Sequence, residues 1–223
     1  MTKILALDAS SEACSAALRI DKVLLERSEV LPRKHTELIL PMVDELLAEA
    51  GITLKQLDAL AFNRGPGSFT GVRVSTSVVQ GLAYALDLPV VPVSGLAALA
   101  QGAWRHSGAE NILSILDARM HEVYWAYFQY QQGHMMAVGD EHVSTISNLL
   151  KPGQGKWLAA GSGVKVYNKE ILEWASDYEV KLTTEIAFPQ ARDVAELALT
   201  EFASGNLVNA MEAQPTYIRD KVV

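Results

Sequence analysis

With 223 residues, 49% of them apolar, the chain can hold one large domain or two small ones, and it is too apolar to be disordered. A net charge of −7 argues against a protein that grips nucleic acid unaided, because neutralising phosphates takes clustered Lys and Arg. The single cysteine, Cys14, excludes an internal disulfide and a CxxC metal or redox pair.

Residues 4–8 read as a strand, residues 9–12 as a polar turn, and residues 13–20 and 23–30 as two more strands around a turn at Asp21 and Lys22. Asp8 ends the first strand, with Ser10 and Ser11 in the turn that follows. Such a turn can wrap a phosphate or position a magnesium ion. It is equally the ordinary chemistry of a hairpin, which favours Asp and Ser. After Pro32 the spacing of His35, Leu38, Ile39, Met42, Val43, Leu46 and Ala50 predicts a helix over 35–50, closed by Gly51. Leu40 and Leu47 add a second stripe, so this helix can pack on its own sheet and on something else. Thr53 to Gln56 fits a capping box.

Residues 57–62 form a short buried strand that leads into the glycine-rich turn GPGSFTG at 65–71 and then a helix to 86. Strand, glycine turn and helix in that order aim backbone N–H groups at an anion, with Arg64 and Arg73 supplying charge. The competing reading is a tight turn with glycine where only glycine fits. The spacing matches neither a Walker loop nor a nucleophile elbow. Ser68 or Thr70 can cap the helix. Within it, Val72, Val74, Val78, Val79, Leu82, Ala83, Tyr84 and Leu86 keep to no single stripe, and nothing between Arg73 and Asp87 is charged. A helix apolar all round is buried on most sides. Either a large core surrounds it or another subunit covers it, and Ser75, Ser77, Gly81 and Ala85 would let a neighbour come close.

A strand over 88–93 and a helix from a Ser94 cap to about 105 complete the first half. The polar break at 107–111 divides the chain into lobes 1–106 and 107–223. Strands then resume over 112–116, 122–131 and 134–142, so the second half reopens as the first did. A helix near 146–150, a strand at 156–160, a helix over 164–174 and a last helix over 191–203 follow. Mixed sheets with parallel crossovers make the class α/β. Gly161-Ser162-Gly163 lacks the third glycine of a dinucleotide fingerprint. The five histidines form no HxxxH or HExxH pair, so no metal site is expected, and no Ser–His–Asp or paired-carboxylate set stands out. The opening residues lack a signal-peptide pattern and no run has the ~18 apolar residues of a membrane helix, so a cytoplasmic protein without membrane contact is expected.

Three stretches together, LALDASSEACSAAL at 5–18, RGPGSFTGVR at 64–73 and DARM at 117–120 ahead of EVYW at 122–125, resemble the TsaB (YeaZ) family of bacterial tRNA threonylcarbamoyladenosine proteins. The resemblance covers nearly the whole chain. It implies two duplicated actin-like (ribonuclease H-like) lobes, each a mixed sheet flanked by helices. It also implies a non-catalytic scaffold partner of TsaD, the transferase that moves threonylcarbamoyl to the N6 of the adenosine next to the tRNA anticodon. The ATPase TsaE would join in a ternary complex, tRNA would be reached only through the complex, and the chain alone would form a homodimer. TsaD carries an HxxxH metal motif on the helix corresponding to 35–50, whereas here His35 is followed by Ile39, so the resemblance implies no catalytic residue and no metal. No cofactor of its own is implied, with ATP or ADP at the interface of the complex. The partner-facing residues would be His35, Leu38, Ile39, Met42, Leu46, Gly71, Val74, Ser75, Val78, Val79 and Leu82. Residues that could face an anion or nucleotide are Asp8, Ser10, Ser11, Gly65, Gly67, Ser68, Arg73 and Asp117. The alternative function is a nucleotide-dependent enzyme, an ATPase or small-molecule kinase, using Asp8, Ser10, Asp117 and the 161–163 glycines. For a peptidase the sequence offers no nucleophile, base or metal set.

Overall fold

Strands β1 (Lys3–Asp8), β2 (Ala13–Ile20) and β3 (Val23–Val30) form an antiparallel meander in the computed structural model, which describes residues 1–31 and 33–219. Pro32, ahead of the first helix, lies outside the described residues. β1 also pairs in parallel with β4 (Ala59–Asn63), and β4 with β5 (Val90–Val93), giving the order β3-β2-β1-β4-β5. The central strands are buried on both faces, which is why they read as continuous apolar runs instead of alternating ones. Alternate side chains still divide between two layers. Leu5, Leu7, Leu60 and Phe62 meet α1 (His35–Ala50) and α2 (Phe69–Leu86) through Ile39, Met42, Val43, Leu46, Val79 and Ala83. Gly51 ends α1 in the left-handed region, and Ser68 caps α2 by accepting from the Gly71 N–H at 3.4 Å. The opposite layer is made of small residues: Ala6, Ala17, Ala59 and Ala61 beside Ile4 and Val91.

Ser94 caps α3 (Gly95–Ser107) by accepting from the Ala97 N–H at 3.1 Å. β6 (Asn111–Asp117), β7 (Val123–Gln131) and β8 (His134–Ser144) repeat the meander. β9 (Trp157–Ala160) pairs in parallel with β6, and β10 (Val180–Leu182) with β9. The second order, β10-β9-β6-β7-β8, is therefore the first one repeated strand for strand. The fold is a duplicated, two-lobed α/β fold with two five-stranded mixed sheets.

Three details differ from expectation. The helix read over 164–174 is two, α4 (Ser162–Val166) and α5 (Asn168–Trp174), broken where Tyr167 leaves helical torsions with its hydroxyl bonded to Asp117 at 3.1 Å. The helix near 146–150 is a single 3-10 turn, Ile146–Asn148, too short to show a helical period. The three-residue β10 is likewise too short to show strand alternation.

The last helix, α6 (Ala191–Ala203), belongs to the first lobe. Its Ala191, Val194, Ala195 and Ala198 lie against Ala6, Ala59 and Ala61, and only small residues on both sides allow that approach. The compact units are thus Met1–Ala98 with Gln190–Thr216, and Leu99–Pro189 with Tyr217, Ile218 and Arg219 among the described residues. A single division after residue 106 leaves α6 on the wrong side. Among the described residues no helix is long and apolar enough to cross a membrane.

Candidate functional site

Two features of the first unit gather the residues singled out from the sequence: a polar turn at the ends of β1 and β4, and the outer face of α2. The turn is closed by its own side chains. Asp8, Ser10 and Asn63 are all buried. Asp8 Oδ1 accepts from the Ser10 N–H at 2.8 Å, and Asn63 Nδ2 donates to Asp8 Oδ2 at 3.1 Å and to Ser10 Oγ at 2.7 Å. Asn63 Oδ1 accepts from the Gly65 N–H at 2.9 Å, an Asx turn that aims the glycine loop. Burial pushes the Asp8 carboxyl above its ordinary value, against the pull of the bonds from Ser10 and Asn63.

The glycines bring chain against chain. A Cβ on Gly71 would stand 1.9 Å from the Ala9 carbonyl oxygen, and one on Gly67 would stand 2.5 Å from that of Ser10. The Ser68 N–H, at the mouth of α2, donates to the Ser10 carbonyl at 2.7 Å. Where a phosphate-binding loop would hold its ligand against these amides, this loop holds the 9–10 turn. Of the residues expected to face an anion, Asp8, Ser10, Gly65, Gly67 and Ser68 come together here, with Ser11 at the edge. Arg73 folds over its own helix start, its guanidinium 3.3 Å from the Phe69 ring centroid and Nη1 donating to the Phe69 carbonyl at 3.1 Å. Asp117 lies in the second unit, where it accepts from the Arg119 N–H at 2.9 Å and is ion-paired with that guanidinium at 3.2 Å. Asn63 is the member of this cluster that sequence reasoning passed over. Its signal was an Asn two residues before a glycine at a strand end.

His35 sits at the start of α1 with Nε2 2.9 Å from the Ser11 carbonyl oxygen, and Ile39, one turn on, is only 1% exposed. The position four residues after His35, where an HxxxH pair would place its second imidazole, is therefore held by a core side chain. Among the described residues no group of three or more His, Cys, Asp and Glu is placed to hold a metal. Cys14, buried beneath the same turn, has its thiol pushed up to about 11 by burial and by the nearby Asp8.

The outer face of α2 is of a different kind. Ile39, Met42, Leu46, Gly71, Ser75 and Val79, expected at a partner surface, are buried in their own lobe. His35, Leu38, Val74, Val78 and Leu82 are partly exposed, and between them Ser77, Gly81, Tyr84 and Ala85 reach solvent. Val74, Ser77, Val78, Gly81, Leu82 and Ala85 fall at helical spacing and make one uncharged ridge. The helix that seemed apolar all round thus has one face in the core and one uncharged face outside.

Residues 27–223 match the family model described as TsaD, tRNA N6-adenosine threonylcarbamoyltransferase. The tRNA threonylcarbamoyladenosine biosynthesis protein TsaB of Escherichia coli (strain K12) is 40% identical over 232 residues, covering 99% of this chain and 96% of its own. TsaB of Haemophilus influenzae is 39% identical, covering 98% and 94%. The solved structure of YeaZ from Pseudomonas aeruginosa is 44% identical with a TM-score of 0.89, over 97% of this chain and 100% of that one. The chain belongs to the TsaB (YeaZ) family of tRNA threonylcarbamoyladenosine biosynthesis proteins.

Proposed function

We propose that this chain is a non-catalytic subunit that holds the transferase TsaD in its working state, with TsaE as third member. The complex would transfer threonylcarbamoyl to the N6 of the adenosine next to the tRNA anticodon. The observation that carries this reading is the uncharged ridge of α2, which a lone subunit leaves in water. A match to the transferase's own family model supports it, because a homologous partner would bring an equivalent helix to the contact. The loss of the second imidazole at Ile39 supports a subunit without a metal of its own. The closed turn around Asp8, Ser10 and Asn63 supports one without its own nucleotide site, any ATP or ADP lying instead at the interface of the complex. tRNA would then be met through the complex, in the cytoplasm, and the chain alone would cover its ridge by forming a homodimer.

The test is threonylcarbamoyl transfer to tRNA in a purified system, with this chain present or omitted. Modification that depends on the chain, with no ATP hydrolysis by the chain alone, is the expected result. Equal modification without it, or ATP turnover lost in Asp8→Ala, would replace the subunit reading with the nucleotide-dependent enzyme.

A further inference from the structure

Of the three stretches that mark the family, DARM at 117–120 has no part in the α2 ridge or in the turn around Asp8. It leads from β6 into β7 through Arg119, Met120 and His121, whose φ angles are 62°, 54° and 61° in succession. The left-handed region presses Cβ against the following carbonyl oxygen and is ordinarily visited by single residues. Among the described residues, every other non-glycine position at positive φ has no such neighbour. The next hairpin reverses on Gln132 and Gly133, so a glycine serves where only a reversal is needed. The strained turn is nonetheless firmly held. The Asp117 carboxylate accepts from the Arg119 N–H and the Tyr167 hydroxyl, while the Asp117 N–H donates to Ser162 Oγ at 3.1 Å. The Ala118 N–H donates to the Glu122 carbonyl and the Glu122 N–H to that of Arg119, both at 3.0 Å. Arg219 pairs with Glu122 and brings Nη1 to 3.8 Å from Met120 Sδ. Yet the side chains carried on the strained backbone face solvent. Met120 is 67% exposed, the Arg119 side chain 82%, and His121 is exposed too.

We infer that the turn at 119–121 is a preformed docking knob for TsaE: Met120 enters an apolar pocket on that protein, and Arg119 meets carboxylates at the pocket's rim. The inference rests on the reading of this chain as a subunit working with TsaD and TsaE, and it adds the surface that the third member uses. Backbone strain persists where surrounding bonds over-determine it, and it gathers at sites that bind or switch. Fixing the knob beforehand lowers the ordering cost of association. A thioether is an adaptable anchor, and methionine is enriched where proteins meet. The charges give the sign of the pocket. On a chain of net charge −7, this turn points the Arg119 guanidinium outward and keeps its carboxylate partner, Asp117, beneath at 11% exposure. An acidic rim is attracted to that arrangement. The α2 ridge allotted to TsaD belongs to the first unit and the turn to the second, which leaves it for a different protein.

The test mixes the tagged full chain with purified TsaD and TsaE, ATP and magnesium, and measures how much of each partner is retained. Met120→Gly deletes the anchor and relieves one left-handed residue. The thermal midpoint is therefore expected to hold or rise, while TsaE retention falls about tenfold or more and TsaD retention is unchanged. A residue that merely shaped the fold would not separate these readouts. Met120→Asn, which also tolerates this backbone region, removes the anchor a second way. Arg119→Gln keeps the length and loses the charge, so the decline of TsaE retention with added salt should flatten. If both Met120 variants retain TsaE as the wild type does, or lose TsaD along with it, docking at this turn is overturned. An unchanged salt dependence in Arg119→Gln overturns the acidic rim. If the wild type holds TsaD but no TsaE, the occupant is overturned while the α2 reading stands. The subunit reading fails separately, through tRNA that is modified equally without this chain.

Discussion

Gly71 and Asp8 show how much single residues can decide. A Cβ at Gly71 would stand 1.9 Å from the Ala9 carbonyl, a backbone atom that cannot swing aside, so turn and helix would have to part. Gly71→Ala should destabilise the fold by about 2–3 kcal/mol, whereas Gly81→Ala, with open space around its Cβ, should gain about 0.5–1 kcal/mol from helix propensity alone. Urea unfolding of each, at a concentration too low for self-pairing, reads both signs. The sequence marked both glycines but could not rank them, because the atom that Gly71 meets is sixty-odd residues back along the chain. Asp8 makes a prediction against the usual carboxylate trend. Its folded pKa is raised by burial, so the folded chain keeps this proton where the unfolded chain, near 3.8, has lost it. The folded state then binds more protons, and this residue's contribution to stability falls as pH rises from the ordinary range to the raised folded value, and is flat beyond. Asp8→Asn removes that slope. The stability of the variant relative to wild type should therefore increase from pH 4 upward, and parallel curves would show that the carboxyl is not raised.

Among the elements, α2 was the most legible from sequence and also the most misleading. Its start, its cap at Ser68 and its end before Asp87 follow from local chemistry that the sequence displays. Its partner-facing residues do not, since core and interface select the same apolar side chains and a period of 3.6 cannot say which side holds the sheet. Val79 on α2, and Ile39, Met42 and Leu46 on α1, looked like surface for that reason and turned out to be core. Adjacent residues now separate the two roles. Val79 is fully buried against the first sheet, so Val79→Asp strands a charge in the core, costs several kcal/mol and should give no cooperative melt. Val78 is partly exposed on the ridge, so Val78→Asp should keep the fold within about 1–2 kcal/mol and lose capture of TsaD. Circular dichroism melts beside a pull-down measure both. A folded Val79→Asp, or a Val78→Asp that still captures TsaD, would reverse the assignment of faces.

At the scale of the whole molecule the duplication was visible and the division was not. Two openings of strand, acidic turn, strand, turn and strand announced two sheets, and the strand orders repeat one another. The membership of α6 could not be read that way. A helix with a face of alanine and valine fits any small-residue surface, and only the packed chain shows that its neighbours are Ala6, Ala59 and Ala61, some 130 residues or more earlier. The side chain of Ser15, holding the Ala191 N–H at 2.9 Å, fixes where that helix begins. The first lobe is therefore incomplete as a continuous stretch. Residues 1–106 alone would leave the alanine layer of the first sheet in water, and loss of that burial should leave no cooperative thermal transition. A separate peptide of residues 187–219 is too short to hold its helix in isolation, yet docking on the exposed layer would supply the tertiary packing that helices of this length need. Mixing the two should therefore restore a cooperative melt whose midpoint rises with peptide concentration, as binding to the folded form alone requires. A peptide carrying Ala195→Asp, a charge aimed into the alanine layer, should not. Cooperative folding of residues 1–106 by themselves would mean that α6 covers the first lobe without completing it.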